Sequence, residues 1–379
     1  MFPVIEVEGD AFVRGRLHGT LARSRIERSI ATYARLFAYC GIDWDDAQRR
    51  AAGYQDTIGN LDAELLEEIN GIAAGAGRRI DEILALNART EILPPSYPGE
   101  PSPHWERVQE VNRGAGIPDW GECTAIAVQL PYGVTRSALL AQNWDWLGTQ
   151  REALVLLQVQ ESDGRRCLTL TEAGMLAKIG LNDRGLGVCL NLMRSRRDGQ
   201  HPGVPVHVLL RALLKRGSVV DAVQLASSVT HGASSNILCA DRGGDAAALE
   251  LSPGGVEVLH PADGVLCHTN HFLMPAGSAG EAPRAPTLST EERLARIEAL
   301  ARGHRGSFTV DDIQAMLRDE SEGAKSICRH PDVALAREAR VETVASVVME
   351  LAAGVMHVAP DVPSKVAYKA IALGARVTV

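Results

Sequence analysis

One stretch of proline and glycine divides the chain into two patterns that cannot fold the same way. Residues 93–120 read LPPSYPGEPSPHW and end in GAGIPDW, which is loop composition, since proline removes a backbone donor and glycine frees φ. Such a long stretch without periodicity is uncommon inside a compact domain and is expected to serve function or to move. Before it, apolar residues recur at helical spacing over 21–39, 45–58, 61–75 and 79–86, so the first 90 residues or so are expected to be mostly helical. After it the period falls to that of strands. Residues 124–130 (TAIAVQL) and 137–142, joined by a turn at Pro131-Tyr132-Gly133, read as a hairpin.

Further strands are expected over 153–159, 167–171, 187–192, 236–240, 246–251, 256–259 and 345–351. Helical patterns interrupt them at 206–215 and 218–228, and two more follow at 289–302 and 309–319. Ser218 with Asp221, and Ser289 with Glu292, look like capping-box starts. Many short strands with helices between and at both ends predict an α+β fold of stacked sheets flanked by helices. Periodicity does not give the strand order.

A net charge of −8 argues against a nucleic-acid partner, which would need a basic footprint. No apolar run is long enough for a membrane span, and Glu6, Glu8 and Asp10 spoil a secretory signal. Seven dispersed cysteines without a C-x-x-C pair suit reduced thiols, and a cytoplasmic location is expected.

Cys123 stands where the loop meets the first strand, in Gly121-Glu122-Cys123-Thr124. Position alone allows two readings: the first residue of a buried strand, inert like most free cysteines, or a nucleophile held by a strand and reached from a loop. A cysteine nucleophile needs a base. A histidine is one solution, with His104 or His268 as candidates. The other is an α-amine, pKa about 7.7–8.0, released by cutting the bond between Glu122 and Cys123. Twenty-two residues on, the return strand ends in Gln142-Asn143-Trp144-Asp145-Trp146. A hairpin would bring Asp145 beside Cys123, where a carboxylate could orient the amine. In Cys267-His268-Thr269-Asn270-His271 the Asn270 amide could donate to an oxyanion. His268 and His271 also admit a metal reading, but no acidic or thiol partner is placed for it, and no metal is expected.

Taken in order, these residues resemble the acyl-coenzyme A:6-aminopenicillanic acid acyltransferase family, peptidase group C45 of the N-terminal-nucleophile hydrolases. The resemblance runs from Ile69-Asn70-Gly71 and Asn87-Ala88-Arg89-Thr90-Glu91 through Glu122-Cys123-Thr124, Asn143-Trp144-Asp145 and Thr171-Glu172-Ala173-Gly174. It continues through Lys178-Ile179-Gly180-Leu181-Asn182, Gly203-Val204-Pro205 and His268-Thr269-Asn270-His271 to Ser326-Ile327-Cys328-Arg329. It implies a four-layer αββα sandwich made as a precursor and cut by Cys123 between Glu122 and Cys123. Residues 1–122 would remain as a small subunit on a large subunit, 123–379. It also implies Cys123 as nucleophile, Asp145 positioning the amine, Asn270 in the oxyanion hole, and Thr124, Asn143, His268, Ser326 and Arg329 near the substrate. The expected reaction is hydrolysis or transfer at a linear amide of a small N-acyl compound. No cofactor is expected, and acyl-coenzyme A is a candidate co-substrate. A scaffold that binds without catalysis is the competing class; the presence of Cys123, Asp145 and Asn270 speaks against it.

Overall fold

The computed structural model describes residues 1–93, 123–130, 137–278, 280–282, 288–335 and 337–375. The Pro/Gly-rich stretch, Glu122, His104 and the turn at 131–133 lie outside the described residues. Two sheets form the centre. The larger has the order β1-β4-β5-β6-β7-β8-β9-β10, with β1 Val4–Gly9, β4 Leu154–Glu161, β5 Arg166–Glu172, β6 Ile179–Asn182, β7 Leu186–Leu192, β8 Ser235–Asp241, β9 Ala246–Ser252 and β10 Gly255–Leu259. The smaller runs β11-β2-β3-β12-β13-β14, with β2 Cys123–Leu130, β3 Ser137–Leu147, β11 Val265–His268, β12 Val341–Glu350, β13 Val355–Ala359 and β14 Lys369–Ala372.

Alternation along β2 shows how the layers are built. Cys123, Ala125 and Ala127 belong to the core shared with the larger sheet. Ile126 and Val128 belong to a second core under the helices Thr290–Gly303 and Val310–Leu317. Both faces of β2 are therefore covered, which is why the strand carries almost no polar residue. Gln142 ties the sheets together inside the sandwich: its amide donates to Leu190 O and accepts from Leu190 N. Helices lie outside both sheets, so the α+β sandwich expected from sequence is the fold observed.

The N-terminal part forms α1 Ala11–Leu21, α2 Arg23–Tyr39, α3 Trp44–Ala52, α4 Gln55–Leu61, α5 Ala63–Ala76, α6 Ile80–Asn87 and α7 Arg89–Ile92. The expected helix at 45–58 is two helices, broken at Gly53-Tyr54. β1 was not anticipated; it adds to the larger sheet in parallel with β4, from Val4 opposite Leu156 to Gly9 opposite Glu161. α1 and α5 approach closely because glycines face backbone. A Cβ on Gly15 would sit 2.0 Å from Glu68 O, and one on Gly71 would sit 2.2 Å from Phe12 O. Buried charges join this part to the larger sheet: Glu68 accepts from Arg14 (3.1 Å) and Arg211 (3.3 Å), and Arg211 also reaches Glu161 (2.8 Å).

The capping boxes split. Ser218 Oγ accepts from Asp221 N (3.1 Å) as expected, but Ser289 caps nothing and accepts instead from Arg293 Nε (3.0 Å). That difference leads to the site.

Candidate active site

Cys123 is the first residue of β2 and is held at both ends of its peptide unit. Its backbone N–H donates to Asn270 Oδ1 (2.6 Å). Its carbonyl accepts from Arg293 Nη1 (2.6 Å) and from Asn191 Nδ2 (3.2 Å), and Asn191 is itself braced by Asn236 Nδ2 (2.9 Å). Arg293 also donates to Thr124 Oγ1 (2.9 Å) and to Asn270 Oδ1 (3.1 Å). Asn270 completes the clamp by donating from Nδ2 to Leu192 O (2.9 Å). Strand β7, the helix Thr290–Gly303 and the segment just after β11 thus converge on a single residue.

The register sharpens the expected Cys123–Asp145 pairing. β3 does not end at 142; it continues through Leu147, and Trp144 is the residue directly opposite Cys123. Opposed residues share a sheet face, so the thiol and the Trp144 ring lie together inside the sandwich, while Asp145 points to the other face. There Thr343, its partner on β12, donates from Oγ1 to Asp145 Oδ1 (2.6 Å). Asp145 Oδ2 is buried without a hydrogen bond among the described residues. The Asp145 backbone N–H is nevertheless among the influences that favour the ionised Cys123 sulfur.

Burial governs the electrostatics. It raises the Asp145 carboxyl to about 7, against the opposing pull of Arg293 and the Thr343 hydrogen bond. It also raises the Cys123 thiol, with Lys178 and then Arg293 acting downward and Asp145 upward. Buried at 3% exposure, the Cys123 thiol is thus biased toward its neutral form.

The remaining expected residues divide. Thr124 is inside the clamp through Arg293. Asn143 faces away from the thiol and pins two backbones, donating to Leu317 O (2.8 Å) and Ile327 O (2.9 Å). Ser326 Oγ accepts from Glu322 N (3.0 Å) and closes a turn. The Arg329 backbone brackets Thr343: its N–H donates to Thr343 Oγ1 (2.9 Å), and its carbonyl accepts from Thr343 N (3.0 Å). His268 is buried between Glu250 Oε1 (2.8 Å, from Nε2) and Thr269 O (2.9 Å, at Nδ1), so both ring nitrogens are committed away from Cys123. It joins β11 to β9 rather than acting as a base. His271 Nδ1 lies 2.8 Å from Thr290 Oγ1. Among the described residues, the grouping with metal-ligand chemistry is instead Glu320, Cys328 and His330, with their ligand atoms within 4.8 Å of one another.

Sequence reasoning missed Arg293, Asn191 and Thr343. Arg293 left a readable trace. Thr290, Arg293, Ile297 and Ala301 form the buried stripe of their helix, and an arginine on an apolar stripe is expensive unless it has a task.

A family model described as acyl-coenzyme A:6-aminopenicillanic acid acyl-transferase matches residues 134–365. The chain is 31% identical over 324 residues to the acyl-coenzyme A:6-aminopenicillanic-acid-acyltransferase 40 kDa form of Emericella nidulans, covering 83% of this chain and 81% of that one. Among solved structures, it resembles a mutant conjugated bile acid hydrolase from Clostridium perfringens, with 14% identity, TM-score 0.45, and 66% and 92% of the two chains covered. It also resembles penicillin V acylase from Agrobacterium tumefaciens, with 14% identity, TM-score 0.43, and 62% and 82% covered.

Proposed function

Because the chain belongs to the acyl-coenzyme A:6-aminopenicillanic acid acyl-transferase family, we propose that it is a self-cleaving cysteine enzyme that hydrolyses or transfers the acyl group of a small N-acyl amide. The observation that carries this reading is the clamp on Cys123. Arg293, Asn270 and Asn191 fix its amide and carbonyl from three separate segments of the chain.

Activation begins with attack of the Cys123 sulfur on the carbonyl carbon of residue 122. The C–N bond breaks as the C–S bond forms, the nitrogen takes a proton, and water resolves the thioester. The products are a carboxylate on Glu122 and a free α-amine on Cys123. That amine then accepts the thiol proton, which no side-chain histidine described here is placed to do. Asp145 Oδ2 is left to meet the ammonium. In turnover the thiolate adds to the substrate carbonyl, and the oxyanion takes the second Asn270 N–H, the first being held by Leu192 O. The leaving amine departs with the proton stored on the α-amine. Water or a second amine then releases the acyl group. Acyl-coenzyme A could deliver the same thioester-level acyl group to Cys123, a second reading favoured by the name of the Emericella nidulans relative.

Intact mass spectrometry tests the activation step. Wild-type protein should give two chains, the larger beginning Cys123-Thr124-Ala125, which co-elute on gel filtration without denaturant. Cys123→Ala should give one uncut chain. Active wild-type protein found as a single chain would overturn the self-cleaving mechanism.

A further inference from the structure

Lys178 is a buried amine that the mechanism above does not use. It is almost fully buried (3% exposed), and its Nζ lies 3.8 Å from the centroid of the Trp144 ring and 5.6 Å from that of Trp146. Among the described residues no oxygen accepts a hydrogen bond from it. Trp144 is the residue opposite Cys123 in the β2–β3 ladder, so the ammonium rests on the ring that shares the thiol's face of the sheet.

Its placement is fixed from several sides. Lys178 closes the turn after β5, and that turn is pinned wherever a helix meets it. Asn87 donates to Gly174 O (2.9 Å) and accepts from Leu176 N (2.9 Å). His18 Nε2 accepts from Gly174 N (3.2 Å), and His207 Nδ1 lies 3.1 Å from Ala177 O. Lys178 N itself donates to Thr169 Oγ1 (3.3 Å). A buried lysine stem held this firmly, with its head on an aromatic face and no anion among the described residues bonded to it, suits a partner whose charge appears only during reaction.

We propose that the Lys178 ammonium is the charge partner of the Cys123 sulfur, stabilising the thiolate from within the sandwich. The proposal rests on Cys123 being the nucleophile. As the thiol proton passes to the α-amine, negative charge develops on sulfur beside a cation already in place, and Lys178 neither gains nor loses a proton in that step. The charged and titratable groups around the pair are Arg89 from α7, Tyr33 from α2, Glu172 from β5, Cys189 from β7, His207 from the helix Val206–Leu213, and Asp145 and Arg293 on the outer face. Burial pulls Lys178 down to about 7 and Arg89 acts the same way, whereas Glu172 and the Cys123 sulfur hold its proton on. The sulfur in turn is drawn toward its ionised form by Lys178 more than by any other charge.

Charge-selective alkylation of the processed protein tests this. Cys123 would be followed by peptide mass spectrometry during reaction with iodoacetamide, which is neutral, and iodoacetate, which is anionic, between pH 5 and 9. Lys178→Met should move the iodoacetamide profile up by about one pH unit or more and lower the iodoacetate-to-iodoacetamide rate ratio about tenfold. Lys178→Arg, which restores a cation, should recover most of the ratio. Melting temperatures of all three proteins would show that they are folded. A purely structural lysine would change the melting temperature and leave the ratio alone, so an unchanged profile and ratio in folded Lys178→Met overturns the proposal. If Cys123 of wild type does not react at all, the nucleophile reading fails first, a distinguishable result.

Discussion

At the scale of residues, the site is a set of paired restraints, and Thr343 shows how they act. Its hydroxyl accepts from Arg329 N and donates to Asp145 Oδ1, so the loop carrying Ser326 and Arg329 reaches the carboxylate through one oxygen. That hydrogen bond favours the ionised carboxylate and opposes the burial that raises Asp145 to about 7. Removing it in Thr343→Val should raise the Asp145 pKa further. If the ionised form orients the amine, the acid limb of the pH–rate profile should lie near 7 in wild type and move to higher pH, by roughly half to one unit, in the variant. A limb that stays in place would remove Asp145 from the titrating machinery.

Cys123, Asp145 and Asn270 were legible as candidates because loop composition, hairpin logic and an ordered motif series all point at them. Arg293 left only its place on a buried helical stripe, and Lys178 left no comparable trace. Each is a cation inside an apolar pattern, and periodicity treats such a residue as noise.

At the scale of elements, the hairpin of β2 and β3 was readable from its alternation, but its reach was not. The run Asn143-Trp144-Asp145-Trp146 looks like a strand end because it is polar and aromatic; β3 continues through it because β12 pairs along its other edge. The joint between the N-terminal helices and the sheets was also hidden, since it depends on contacts distant in sequence. Glu91, at the end of α7, is part of that joint: Oε1 accepts from Val206 N (2.8 Å), while Oε2 is buried without a hydrogen bond among the described residues.

Burial raises Glu91 from 4.5 to about 7. The folded protein therefore holds this proton more tightly than the unfolded chain does. The carboxyl imposes no penalty below about pH 4.5, an increasing one between 4.5 and 7, and a full one above. Glu91→Gln keeps the acceptor for Val206 N and removes the titration. Relative to wild type, its unfolding free energy should rise across that window, reaching a gain on the order of 3 kcal/mol by pH 8. Denaturant titrations of both proteins at pH 5 and pH 8 measure this, and equal differences at the two pH values would contradict it.

At the scale of the whole molecule, the layer order follows from where apolar residues fall on both faces of β2. The order of strands within each sheet was beyond reach, because β1 comes from the start of the chain and β11 from far beyond the strands it joins. No described helix is long and apolar enough to cross a membrane. The N-terminal helices are not an appendage. Their buried charges and β1 are built into the larger sheet, which is why a cut before Cys123 should leave one assembled body.

The central claim is that Cys123 carries the acyl group, and rapid-quench mass spectrometry measures this directly. Processed protein mixed with an activated N-acyl amide or an acyl-coenzyme A and quenched in acid should show the acyl mass on the chain beginning at Cys123. The adduct should appear within the first turnover and be absent from Cys123→Ala. Turnover of such a substrate by Cys123→Ala at the wild-type rate, or a burst adduct mapping to any other residue, would contradict the account.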